Sequence, residues 1–134
     1  MRPCSKGFNQ VLSNVIPFME AAPLTLLDIH ELARAVTAPY ANFSLASVND
    51  HVVKVSIMTQ PYEWHYHPNS DETFITMDGV LIIEMESETI ELLPGQLFTI
   101  PRNILHRTRP KGERSVNLTI EHSQIQTVNR HRLS

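Results

Sequence analysis

Cysteine is almost missing from this chain. Cys4 is the single one in 134 residues, so no internal disulfide can form, and a domain of this length has to hold itself together by burial. Such usage fits a reducing compartment, and the expected location is cytoplasmic. A basic excess is missing too. Eleven Lys and Arg stand against fourteen Asp and Glu, and the net charge of -3 excludes the basic face that a duplex-binding module needs. Long apolar runs are absent: Val80-Leu81-Ile82-Ile83 is among the longest, far short of the roughly 20 residues that a membrane helix takes. Arg2 and Lys6 are not followed by the apolar stretch of a signal peptide. Glycine, at four residues, is too scarce for a collagen-like repeat. These absences remove nucleic acid and membrane from the expected partners. What remains is the composition of an ordinary globular domain, 42% hydrophobic and 19% charged, plus seven histidines that need a reason.

Residues 1–24 are weakly patterned, broken by Pro3, Gly7 and Pro17, and read as an N-terminal arm. A helix is expected from Leu26 to Val36, where Leu26, Ile29, Leu32 and Val36 recur near helical spacing. Thr25 is its expected cap and Pro39 its stop. Beyond Pro39 the pattern becomes extended. Strands are expected at Asn42–Val48 and Val52–Met58, around an Asn49-Asp50 turn, and the Pro-bounded stretch 61–68 follows. Thr73–Asp78 ends at Gly79, and Val80–Glu86 alternates with a wet face carrying Ile82, Glu84 and Glu86. Thr89–Leu93, Leu97–Ile100, Leu105–Arg109 and Val116–His122 complete the set, and residues 124–134 read as a tail. Short strands with turn dipeptides and no helical crossovers indicate an all-β sandwich or barrel spanning residues 25–123, with one short N-terminal helix.

The informative stretch is Trp64-His65-Tyr66-His67-Pro68-Asn69-Ser70-Asp71-Glu72. On an extended segment His65 and His67 project to one side, and Trp64 and Tyr66 to the other. Pro68 to Asp71 is rich in turn formers, so the chain reverses and Glu72 returns a carboxylate to the same side. Two imidazoles and a carboxylate inside a barrel make a site for a divalent metal, although paired strand histidines are also common as plain surface residues. A fourth ligand must come from another strand, and His106, opening one after Pro101-Arg102-Asn103, is the natural candidate. Phe74 and Thr76 follow Glu72 by two and four and are the candidate substrate-pocket residues. Arg102, Arg107 and Arg109 surround His106; they read either as a solvated face or as recognition of an anionic substrate. His30, His51, His122 and His131 have no partner at ligand spacing and are expected to be surface or capping residues, and Cys4 has nothing beside it to activate a thiol.

The wider pattern resembles the cupin family. Its first motif, Gly-x5-His-x-His-x(3–4)-Glu-x6-Gly, is met by His65, His67, Glu72 and Gly79. Its second, Gly-x5-Pro-x-Gly-x2-His-x3-Asn, is met by Gly95, Pro101 and His106. Thr59, Asn103 and Pro110 stand where the motifs have Gly, Gly and Asn; Asn103 suits a left-handed turn, and none of the three is a ligand position. The resemblance runs over roughly residues 40 to 122. It implies a double-stranded β-helix, or jelly-roll, barrel with one divalent transition metal per chain (Mn, Fe, Co, Ni or Zn) on His65, His67, Glu72 and His106. It also implies a homodimer and a small-molecule ligand. For activity it implies a small metal-dependent enzyme on a polar substrate such as a sugar (isomerase or epimerase, in the manner of mannose-6-phosphate isomerase relatives) or an oxygenase. The alternative is a non-catalytic, metal-anchored ligand sensor.

Overall fold

The computed structural model describes residues 20–130. Cys4, His131 and the first nineteen residues of the expected arm lie outside that range. One helix and ten strands are seen among the described residues: α1 (Ile29–Ala35), β1 (Tyr40–Val48), β2 (His51–Met58), β3 (Tyr62–Tyr66), β4 (Glu72–Asp78), β5 (Leu81–Met85), β6 (Thr89–Leu92), β7 (Leu97–Ile100), β8 (His106–Pro110), β9 (Ser115–His122) and β10 (Val128–Asn129). They form two five-stranded antiparallel sheets, ordered β1-β2-β9-β4-β7 and β10-β3-β8-β5-β6. The fold is a double-stranded β-helix. None of the described helices is long and apolar enough to cross a membrane.

The helix begins later than its periodicity predicts. Asp28, not Thr25, is the cap: its carboxylate accepts from the Glu31 amide at 3.0 Å. Leu26 lies outside the helix and is fully exposed. What α1 buries is Leu32 and Ala33, against Ala41, Phe43 and Leu45 of β1, Val55 and Ile57 of β2, and Val116 of β9. Alternation makes that the outer face of the first sheet, so the residues between them (Lys54 and Ser56, Asn117 and Thr119) point into the barrel. The Arg114 guanidinium fastens the helix end, donating to the carbonyls of Ala33 at 2.6 Å and Val36 at 3.1 Å. The last carbonyls of a helix are short of partners within it, and that of Ala33 also takes the Val36 amide at 3.2 Å.

The barrel interior has two parts. One is apolar, packed with Met58, Phe74, Leu81, Ile83, Leu92 and Ile100. The other is polar and carries the histidines. On the outside of the second sheet Glu84 pairs with Arg107 and lies 3.5 Å from Arg109. The expected wet face of β5 is only half wet, because Ile82 is 5% exposed beside that ion pair. Within the segment read as a tail, Val128 and Asn129 form β10 and pair with Tyr66 and His65.

Candidate metal centre

Three strands and two turns bring the four expected side chains together. β3 and β8 are neighbours in register, with His65 opposite His106. β4 lies in the facing sheet and opens with Glu72. The Pro68-to-Asp71 turn joins them, fastened by the Asp71 carboxylate, which accepts from the Arg102 amide at 2.9 Å, and by Asn69, which donates to the Gln124 carbonyl at 3.0 Å. Asn103 takes φ 71°, as its place in the second turn requires, and its amide donates to the His67 carbonyl at 2.9 Å. His65, His67, Glu72 and His106 are all buried, and one ligand atom from each lies within 4.8 Å of the others.

The tautomers follow from the backbone. A carbonyl oxygen only accepts, so a ring nitrogen facing one bears the proton. His65 Nδ1 lies 2.7 Å from the Glu63 carbonyl, His67 Nδ1 2.9 Å from that of Gln126, and His106 Nδ1 2.8 Å from that of Ile104. All three Nε2 lone pairs are thereby left to the interior, the arrangement that protein metal sites use to orient imidazoles. His67 Nε2 stands 3.1 Å and His106 Nε2 3.5 Å from Glu72 Oε1. Yet these three atoms are buried with no hydrogen-bond partner among the described residues. Leaving one such atom unsatisfied costs about 1–3 kcal/mol, so three converging on one point need an occupant. A divalent cation fits, because neutral nitrogen lone pairs and a carboxylate are what it takes as ligands. Burial, and then His106 beside it, lowers the His65 imidazole to about 4, which keeps it neutral and able to ligate.

A cavity of about 290 Å³ opens beside His65, His67 and Glu72, and most of its other walls were not legible as a site. Tyr40, Asn42, Lys54, Ser56, Thr119 and Glu121 line it from the first sheet. Tyr62 enters from β3, its ring edge-on to His65 with centroids 4.7 Å apart and stacked on Tyr40 at 5.7 Å. Strict alternation would send Tyr62 outward with Trp64, but a register irregularity between Tyr62 and His65 turns it in. Glu121 faces Glu72 across the strands and meets Lys54 Nζ at 2.9 Å. Burial, then the charge of Glu72, pushes the Glu121 carboxyl up to about 7, with Lys54 pulling the other way. A period-two count from Ser115 or from Asn117 reaches Glu121, but nothing local marks it as functional.

The remaining candidates fall as follows. Phe74 lines the cavity, edge-on to His106 at 6.3 Å. Thr76 sits deeper, fully buried, and donates to Asn117 Oδ1 at 2.9 Å. Arg107 lies over the Trp64 ring at 5.0 Å on the outer face, in a depression of about 880 Å³ that contains none of the four clustered residues. The reading of Arg107 and Arg109 as substrate contacts therefore fails: both are spent on Glu84. His30 is exposed. His51 and His122, expected to be surface or capping residues, are cross-strand partners that share Asp50, at 2.8 and 3.7 Å.

Comparison with known proteins agrees with this geometry. Residues 55–120 match the family model described as "Cupin domain". The uncharacterized protein YdbB of Bacillus subtilis is 44% identical over 98 residues, which are 72% of this chain and 86% of that one. Among solved structures, a cupin-2 domain containing protein from Shewanella frigidimarina superposes with a TM-score of 0.68 at 25% identity, over 72% of this chain and 94% of that one. A conserved protein with a double-stranded β-helix domain from Klebsiella pneumoniae gives 0.67 at 16% identity, over 80% and 97%.

Proposed function

This chain belongs to the cupin family, and from that premise we propose that it is a metal-dependent enzyme acting on a small, oxygen-rich substrate held beside His65, His67, Glu72 and His106. The observation that carries the reading is the set of three buried atoms, His67 Nε2, His106 Nε2 and Glu72 Oε1, converging without partners among the described residues, next to a cavity that His67 and Glu72 line. Four protein ligands leave one or two coordination positions for substrate on a five- or six-coordinate metal. A divalent transition metal bound there supplies Lewis acidity to an oxygen of the substrate.

The chain's own residues supply the rest. The cavity is small by the standard of ligand pockets, which run to roughly 300–1,000 Å³, so it admits a small metabolite. Its walls carry donors and acceptors together: Tyr40, Tyr62, Asn42, Ser56, Thr119, Lys54 and Glu121. Barrel interiors are normally filled with apolar side chains, so this lining favours a polyhydroxylated or hydroxy-acid substrate, and with it sugar isomerisation or epimerisation, or an oxygenase reaction. The apolar Phe74 closes one side and limits water there. Glu121, Lys54, Tyr40 and Tyr62 are proton-bearing groups within the same space, as a reaction that moves a proton needs. The homodimer belongs to the same proposal.

The test is a screen of the metal-loaded protein, with metal content determined on the same sample. Metal-dependent isomerisation of aldoses or ketoses, or consumption of oxygen, is expected, and His67→Ala should lose metal and turnover together. A protein that holds its metal, turns nothing over, and yet gains thermal stability with a small ligand would be the sensor instead.

A further inference from the structure

We propose that Lys54 forms a subsite for a carboxylate of the substrate, on the cavity wall contributed by the first sheet. The inference deepens the function proposed above and rests on it. Lys54 is the one Lys or Arg among the residues lining the cavity. Of the arginines that the sequence offers for this task, Arg107 and Arg109 are committed to Glu84, and Arg102 is exposed and does not line the cavity. Lys54 Nζ meets one carboxylate, Glu121 Oε2, at 2.9 Å. An ammonium has three N–H donors, so two remain for a ligand. Glu121 is 4% exposed and fixes the ammonium against the wall, so little freedom is lost when a ligand arrives.

A second observation points to the same place. Thr119 is the cross-strand partner of Lys54, lines the same cavity, and is 2% exposed, yet its Oγ1 has no hydrogen-bond partner among the described residues. A buried hydroxyl in that state is stabilised by an oxygen that accepts from it. An ammonium and a hydroxyl side by side on adjacent strands suit the two oxygens of a carboxylate. Glu121 and Glu72 separate Lys54 from the imidazole cluster. A ligand that satisfies both ends therefore carries its carboxylate several bonds from the oxygen that reaches the metal, as a longer hydroxy acid or a dicarboxylate does.

The probes are the dicarboxylates from malonate to adipate and the diols of matching chain length, titrated calorimetrically into protein loaded with Mn(II), with metal content measured before and after. At least one dicarboxylate should bind, and its diol at least tenfold more weakly. Lys54→Met should weaken that dicarboxylate at least tenfold at unchanged metal content. Lys54→Gln, which keeps a hydrogen bond to Glu121, should do the same if Lys54→Met does not fold. Diols that bind as tightly as dicarboxylates, no dicarboxylate binding at all, or a variant that binds like the wild type, each at full metal content, would overturn the subsite and leave the metal centre standing. A wild-type chain that takes up no metal would overturn both.

Discussion

Gly79 closes the turn between β4, which carries Glu72, and β5, and its replacement by alanine is a sharp test of how tightly this barrel is packed. The residue has φ +74°, and a Cβ placed on it would stand 2.2 Å from the Arg114 carbonyl oxygen and 3.1 Å from Ser115 Cα, both backbone atoms. The left-handed conformation alone costs an alanine about 1–2 kcal/mol. Relieving the contact requires the chain at Arg114 to retreat, and forced repacking of that sort costs about 1–3 kcal/mol. It cannot retreat freely, since Arg114 clamps the end of α1 and Ser115 starts β9 in register with Met58. Reduced freedom of the unfolded chain returns about 0.4–1 kcal/mol. Gly79→Ala should therefore lose about 1–4.5 kcal/mol, centred near 3. Gly95 is the internal control: its φ is +88° but no atom lies within 4 Å of its Cβ position, so only the conformational part applies, about 1 kcal/mol. Gly112, with open space and no positive φ, should change by less than about 0.5 kcal/mol. Urea unfolding followed by the fluorescence of Trp64, the single tryptophan, measures all three at constant slope. Equal losses at Gly79 and Gly95, or a Gly79 loss below about 1 kcal/mol, would refute the reasoning from the 2.2 Å contact.

Two other predictions concern the centre and the helix. Saturating Mn, Fe, Co, Ni or Zn at a hundred times its dissociation constant should stabilise the chain by about 2.7 kcal/mol, a rise of roughly 10 °C in Tm. His51→Ala should keep that rise and His106→Ala should lose it, as read by differential scanning fluorimetry; equal behaviour of the two would remove His106 from the site. Asp28→Ala should cost about 1 kcal/mol in a chemical melt while Thr25→Ala costs nothing measurable, and the reverse would mean that α1 begins where its periodicity first suggests.

Local chemistry was legible wherever a short stretch decides the outcome. His65 and His67 share a face because strands alternate, and Glu72 returns because Pro68 to Asp71 can only turn. Asn103 takes the left-handed conformation because its side chain tolerates it. What stayed hidden depended on distant pairing or on a departure from regularity. Lys54 and Glu121 lie 67 positions apart and meet because β2 and β9 are neighbours, and no window of sequence holds both. Tyr62 enters the cavity through an irregularity that alternation cannot anticipate. The arginines around His106 were ambiguous for the opposite reason. Their spacing showed that Arg107 and Arg109 share a face, but the partner that tells which face, Glu84, lies on another strand. The start of α1 was misplaced because Leu26 fits the helical period without being in the helix, and a capping carboxylate at Asp28 decides the boundary more strongly than a marginal apolar position.

The placement of the apolar clusters implies that the centre is a functional addition to a barrel that stands without it. One cluster lies between α1 and the outer face of the first sheet, the other at the apolar part of the interior, and neither contains His65, His67, Glu72 or His106. In the metal-free chain those four are a liability, because three of their atoms are buried without partners among the described residues. His106→Leu removes one such atom, a gain of about 1–3 kcal/mol, and gives up the hydrogen bond from Nδ1 to the Ile104 carbonyl, worth about 0.5–1.5 kcal/mol, in a side chain of similar volume. The metal-free variant should therefore unfold within about 2 kcal/mol of the metal-free wild type, on either side of it, and with the same denaturant slope. Only when metal is added should the two separate, as the wild type gains and the variant does not. A wild-type chain that is unfolded after chelation would contradict this, because it would behave as small domains do when a structural metal supplies the folding energy. The same result would move the weight of stability from the two apolar clusters to the four ligands.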